Sequence, residues 1–271
     1  MKIKKTLSFN SSKNIWRLLL SDTNKLLIQT MDSKTREVFF NYFDSYSGKT
    51  ILKNYQPDEK YFVGVEAIQN DLIYFHKFAK PDMPNHKGII AFSVSSKEIL
   101  WENEELEFYF LLNDKIICRK QLFDSWNYKA LDSKSGVCLD EEISYDKLLE
   151  LRKQQIINGS NILPVNFNNT NPDNRTASDF IEDAINAVDI TGYPEYAVCD
   201  NLLVFNYHEK QKKGYFDNQF FIVDLVRKKT LYSDKINSGL QNFVPDSFFI
   251  KDDLIFILKN KNEVKVLQMK E

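Results

Sequence analysis

The sequence predicts an all-β protein, a five-bladed β-propeller forming a single domain over residues 1–271. The ring is expected to be closed by the N- and C-terminal strands, with a two-helix insertion between blades 3 and 4. Three observations predict this. A turn-prone pair precedes an aliphatic strand five times, at Asn24-Lys25, Asn70-Asp71, Asp114-Lys115, Asp200-Asn201 and Asp252-Asp253. The strands that follow begin at Leu26, Leu72, Ile116, Leu202 and Leu254, at intervals of 46, 44, 86 and 52 residues. A period of about 40–50 residues with several strands per unit is that of a propeller blade. Finally, Thr6-Leu7-Ser8 reads like Thr230-Leu231-Tyr232, so the first strand supplies the fourth strand that the last unit lacks.

Within each unit four strands are expected. The first ones are Trp16–Leu20, Tyr61–Val65, Phe108–Leu112, Tyr196–Val198 and Ser247–Ile250, and the aliphatic runs above are the second. The third and fourth are joined by short polar turns, as in Phe39–Asp44, Ser45–Lys49, Thr50–Leu52. Strand, Ser/Gly turn, strand is the pattern of a hairpin. The long third interval is read as an insertion over residues 143–192. Ser144 caps a helix over Tyr145–Ile157, and Thr176 to Asp179 opens a second, with Phe180, Ile181, Ala184, Ile185 and Val188 at helical spacing. An asparagine-rich loop lies between them.

Composition limits the function classes. Lys+Arg number 36 against Asp+Glu 38, and this balance argues against a nucleic-acid surface. No apolar run reaches the roughly 18 residues of a membrane span. The basic Lys2–Lys5 is followed by no apolar stretch, so no signal peptide is expected. Cys118, Cys138 and Cys199 are odd in number and each falls on a strand. Buried, reduced thiols in a cytoplasmic protein are therefore expected.

The turns carry a family resemblance. Phe43-Asp44-Ser45-Tyr46-Ser47-Gly48-Lys49, Leu131-Asp132-Ser133-Lys134-Ser135-Gly136 and Lys97-Glu98-Ile99-Leu100-Trp101 resemble the blades of the pyrroloquinoline-quinone-type (quinoprotein) propellers. The resemblance implies the fold of that family's non-enzymatic members. It does not imply the quinone cofactor, because the chain has no adjacent cysteine pair. No cofactor is expected.

Propeller topology would send the long hairpins, residues 76–88, 119–126 and 208–219, to one face together with the insertion. Long loops on a rigid scaffold are where binding residues sit. Phe78, Met83, His86, Phe123, Trp126, Tyr215 and Phe216 are the candidate binding residues, as aromatic and polar anchors for a protein or small-molecule partner. The three histidines His76, His86 and His208, with Asp82 or Asp217, are the candidate metal ligands, although their spacing matches no ligand motif. Ordinary loop histidines are the competing reading. Asp82, Asp124 and Asp217 are the carboxylates that a glycosidase-like hydrolase would use. Ser47-Gly48-Lys49-Thr50 lacks the glycine and helix of a phosphate loop and is a hairpin turn. The expected function is thus a cytoplasmic binding or protein-interaction module, with a hydrolase as the alternative.

Overall fold

The computed structural model describes residues 1–80, 83–140, 142–157, 162–163, 165 and 175–270. In chain order the first strands are β1 (Lys2–Asn10), β2 (Asn14–Leu20), β3 (Lys25–Met31), β4 (Val38–Asp44) and β5 (Thr50–Tyr55). There follow β6 (Val63–Gln69), β7 (Leu72–Lys80), β8 (Met83–Ser93), β9 (Glu98–Asn103), β10 (Glu107–Leu112), β11 (Lys115–Gln121), β12 (Trp126–Asp132) and β13 (Cys138–Asp140). Helix α1 (Tyr145–Ile157), the short β14 (Ile162–Leu163) and helix α2 (Arg175–Ile185) lead into β15 (Ile190–Cys199) and β16 (Leu202–Lys210). The chain continues through β17 (Phe216–Asp224), β18 (Lys229–Leu240), β19 (Phe248–Lys251), β20 (Leu254–Lys259) and β21 (Glu263–Lys270).

The recurring turn-prone pair has a backbone cause. Asn24, Asn70, Asp200 and Asp252 of the pairs, and Asn113 just ahead of the third pair, all have φ between 48 and 56°. Asn and Asp tolerate this left-handed region because their short polar side chains bond locally, so they reverse the chain without glycine. Each reversal pairs the preceding strand antiparallel with the aliphatic one, as at Gln69↔Leu72 and Cys199↔Leu202.

The propeller expectation is overturned by the sheet connectivity. Among the described residues the strands form four separate open sheets and no closed ring of blades. Their orders are β2-β3-β4-β5, β13-β12-β11-β10-β8-β7-β6 with β9 on β8, β15-β16-β17-β18, and β1-β21-β20-β19-β14. The second and third repeat units are one eight-stranded sheet, because β10 pairs parallel with β8 at Glu107↔Gly88. The helices therefore come late in the chain, after that sheet, and not between a third and a fourth blade. Strand β1 does pair with β21, from Lys2↔Lys270 to Asn10↔Glu263. The sheet it completes is open, with β1 at one edge and β14 at the other.

The chain divides into two compact units. One comprises Met1–Ser12, Ser45–Gly48 and Asn161–Glu271, and the other Lys13–Asp44 and Lys49–Ser160. In the first unit, Leu202, Val204, Phe220 and Ile222 pack with Phe248, Ile250, Ile255 and Ile257. Ala177 and Ile181 of α2 bury Leu203, Phe205 and Tyr207. Strand β16 is thereby covered on both sides, which is why it reads as a near-continuous apolar run. Gly48 serves this unit too. At φ 70° a Cβ there would fall on the Thr6 carbonyl oxygen, so the close approach of its turn to β1 requires glycine.

In the second unit, Phe40, Tyr42, Phe75 and Phe92 form one core, with the Phe40 and Phe75 rings 4.8 Å apart. Tyr74, Ile89, Ile116, Cys118 and Leu131 form another. Helix α1 sets Leu148 against Phe110, Ile117 and Ile143.

No disulfide forms among the described residues; Cys118 is fully buried, whereas Cys138 and Cys199 are partly exposed. Burial pushes the Cys118 thiol up to about 12 and the Cys199 thiol up to about 11. Cys118 is accordingly expected to resist a thiol reagent until the protein unfolds, since only thiolate reacts. Fast labelling of Cys118 in the native protein would contradict the buried assignment.

Candidate functional site

The β7–β8 hairpin and the neighbouring β6 build one polar cluster. The alternation of β6 slips by one residue: Val63, Val65 and then Ile68 are buried. The register shows why, because Val65↔Phe75 is followed by Ala67↔Tyr74, leaving Glu66 as the extra residue of a β-bulge. A bulge re-aims a side chain. Here the Glu66 carboxylate meets two imidazoles, one from each strand of the hairpin. Oε1 lies 2.6 Å from Nδ1 of His86 and 2.9 Å from Nδ1 of His76.

The two imidazoles stack, with centroids 3.6 Å apart and planes 10° from parallel. Phe78 stands edge-on to both, at 4.9 Å from His76 and 5.5 Å from His86. His76 is buried opposite Gly64, and a Cβ at Gly64 would sit 2.6 Å from its Cε1 and Nε2. Only glycine leaves room for this ring. Both nitrogens of His76 are buried; Nδ1 faces the Glu66 carboxylate, and Nε2 has no hydrogen-bond partner among the described residues. The His86 side chain is 37% exposed and opens the cluster to solvent. Burial alone would raise Glu66, but the two imidazoles outweigh it and hold the carboxyl at about 2. Burial lowers His76 against the opposing pull of Glu66. A cavity of about 190 Å³ adjoins along Lys77, Phe78, Lys87, Glu102 and Glu104. In it Lys77 is paired with Glu102 at 2.8 Å.

A second feature lies on the same sheet, at the β11–β12 hairpin. Its tip closes through Leu122 N–H donating to Ser125 O at 2.9 Å. Phe123 at the tip is 97% exposed, with Leu122 and Trp126 also exposed. The Arg119 guanidinium lies 4.1 Å over the Trp126 ring and 5.5 Å from the centre of Tyr109. Glu107 holds Arg119 in place through Nε at 3.1 Å. Such a stack fixes a long cation against two aromatic rings. Asp124 is exposed beside it.

The remaining candidates belong to the other unit. Tyr215 is exposed and Phe216 half-buried. Asp217 is tied to Lys235 at 2.6 Å and accepts from Gly239 N–H at 3.0 Å, contacts that lower its carboxyl. His208 is buried opposite Asn218, 4.4 Å from the Phe243 ring, with neither nitrogen hydrogen-bonded among the described residues. Burial brings it down to about 4. The histidine trio thus separates, with His76 and His86 meeting in one unit and His208 standing in the other. On the same pair of strands, Glu195 is buried opposite Asn206 and bound by Asn206 Nδ2 at 2.8 Å and Asp246 N–H at 2.8 Å. Burial raises its carboxyl. Asp82 and the Met83 side chain lie outside the described residues.

Sequence reasoning missed Glu66, Arg119, Tyr109 and Glu195. For Glu66 a signal was present in the broken two-residue alternation of Val63, Val65 and Ile68. For the others there was none, because ordinary strand positions carry charged and aromatic residues alike.

A family described as "Domain of unknown function (DUF4905)" matches residues 20–101, a stretch that contains Glu66, His76 and His86. That family match and the open sheets overturn the quinoprotein resemblance read from the turns, and with it the repeat assignment. No curated protein matches. Among solved structures, the apo AtxE2 isopeptidase is similar over 94% of this chain at 11% identity and a TM-score of 0.42. The chain spans about half of that protein, 49% of its length. A protein from Bacteroides fragilis NCTC 9343 described as exported is similar over 99% of this chain and 96% of its own, at 10% identity and a TM-score of 0.32. Likenesses this distant carry no argument about activity. Among the described residues no helix is long and apolar enough to cross a membrane.

Proposed function

We propose that this chain is a non-catalytic, cytoplasmic protein-interaction module, and that the β11–β12 hairpin makes the contact. One observation carries the reading: Phe123 stands 97% exposed at a closed hairpin tip, next to Trp126 under the Arg119 guanidinium. Exposing a phenylalanine ring forgoes its burial free energy, about 1.5–3 kcal/mol, which a partner's surface restores. Trp, Tyr and Arg in a preordered group are also the residues that dominate binding energy at interfaces. The tip carries the apolar anchor and the stack supplies the rigid polar neighbour. Three cysteines with no disulfide among the described residues suit a reducing compartment. The hydrolase reading has no such support, since Asp217 is committed to Lys235 and Gly239.

The test is quantitative affinity capture from the native cytosol with parent protein and with a Phe123→Ser/Trp126→Ala double variant. The expected result is a protein captured stoichiometrically by the parent and lost from the variant, whose melting is unchanged. A control with the exposed Ile99 and Leu100 changed to serine is expected to keep the partner. Equal capture by all three proteins would refute the assignment.

A further inference from the structure

We infer that Glu66, His76 and His86 form a binding site for a divalent first-row transition-metal ion of the zinc type. The site is separate from the β11–β12 contact surface. Its ligand atoms, one carboxylate oxygen and two imidazole nitrogens, lie within 4.8 Å of one another, and one of the three residues is buried. Mixed nitrogen and oxygen donors suit zinc, cobalt, nickel or copper, whereas magnesium and calcium call for oxygen alone.

Three features distinguish this cluster from an ordinary surface ion pair. His76 is fully buried, with its Nδ1 2.9 Å from the Glu66 carboxylate and its Nε2 without a hydrogen-bond partner among the described residues. The Gly64 backbone lies against the Nε2 side of the ring, leaving Nδ1 as the donor that faces Glu66 and His86. The β-bulge, finally, spends an extra residue to turn Glu66 onto this spot, and Phe78 walls the two rings edge-on.

The ring geometry also says which ligand moves. With ring centroids 3.6 Å apart and planes 10° from parallel, one ion cannot lie in both ring planes at the usual Zn–N distance of about 2.0–2.1 Å. His76 is locked by its packing. His86, over a third exposed, is the ring that turns to complete the site. Solvent on its side provides the remaining coordination positions, so the ion would be reachable from outside.

Titration of the tag-free protein with Co²⁺ tests this. The expected result is visible d–d absorption saturating at one ion per chain and abolished by one equivalent of Zn²⁺. His86→Ala and Glu66→Gln are each expected to weaken binding by more than the roughly 10–100-fold that loss of a supporting group costs. Both leave the buried His76 in place and are expected to keep the parent's far-ultraviolet spectrum. His208→Ala, in the other unit, is expected to bind like the parent. Absent cobalt absorption, or affinity unchanged in both His86→Ala and Glu66→Gln, would overturn the site. Saturation by Ca²⁺ or Mg²⁺ in place of Zn²⁺ would overturn the assigned metal class.

Discussion

Deleting residues 1–9 will cost this protein most of its stability. Strand β1 covers one whole edge of β21, with Ile3 opposite Met269, Leu7 opposite Val266 and Phe9 opposite Val264. Leu7 is buried and Ile3 packs against the core that holds Leu267. Each such aliphatic side chain contributes about 1.5–3 kcal/mol, and each ladder hydrogen bond a further net 0.5–1.5 kcal/mol or so. The sum is on the order of 5 kcal/mol or more, comparable to the whole stability of an ordinary domain. The freshly bared edge of β21 would also template association between chains. Urea unfolding monitored with sedimentation checks both effects. A truncated protein that unfolds at the parent's midpoint and stays monomeric would show that β1 contributes nothing essential.

Acid will destabilise the protein through His208. Its pKa is about 4 in the folded state against an ordinary 6.5, because burial disfavours the imidazolium. The stability that the neutral ring contributes is complete above 6.5. It is lost as the pH falls toward 4, since over that interval only the unfolded chain takes up the proton. A difference of this size corresponds to about 3 kcal/mol at most. Glu195 shifts the opposite way, and acid favours its buried, protonated form. Comparing the parent with His208→Leu cancels that contribution and isolates the histidine. The parent is expected to lose about 3 kcal/mol more than the variant between pH 6.5 and 4. Parallel stability curves would mean that His208 is solvated in the native protein.

Local rules made the elements legible from the sequence alone. The strands and their hairpins follow from two-residue alternation and from Asn or Asp at left-handed turn positions such as Asn70 and Asp200. Both helices follow from a 3.6-residue spacing, and α1 falls on Tyr145–Ile157 behind its Ser144 cap as its residues imply, whereas α2 already begins at Arg175, ahead of the start read at Thr176. Even the partnership of β1 with β21 was readable, because Thr6-Leu7-Ser8 repeats the pattern of another unit's last strand. How sheets join was not legible. One parallel pair, Glu107 with Gly88, merges two repeat units into a single sheet, and no periodicity in the chain marks it. Backbone hydrogen bonds between strands distant in sequence depend on register and close approach, which side-chain patterns do not specify. The same holds for the sites. Residue type and a shared long hairpin singled out His76 and His86, but a bulge one strand away supplied Glu66 as their partner. The sequence alone also grouped His208 with them, by its matching place at the end of a repeat strand. Tertiary structure put it in a different unit, buried beside Phe243 and opposite Asn218, because an imidazole's chemistry is set by the groups that reach it in space.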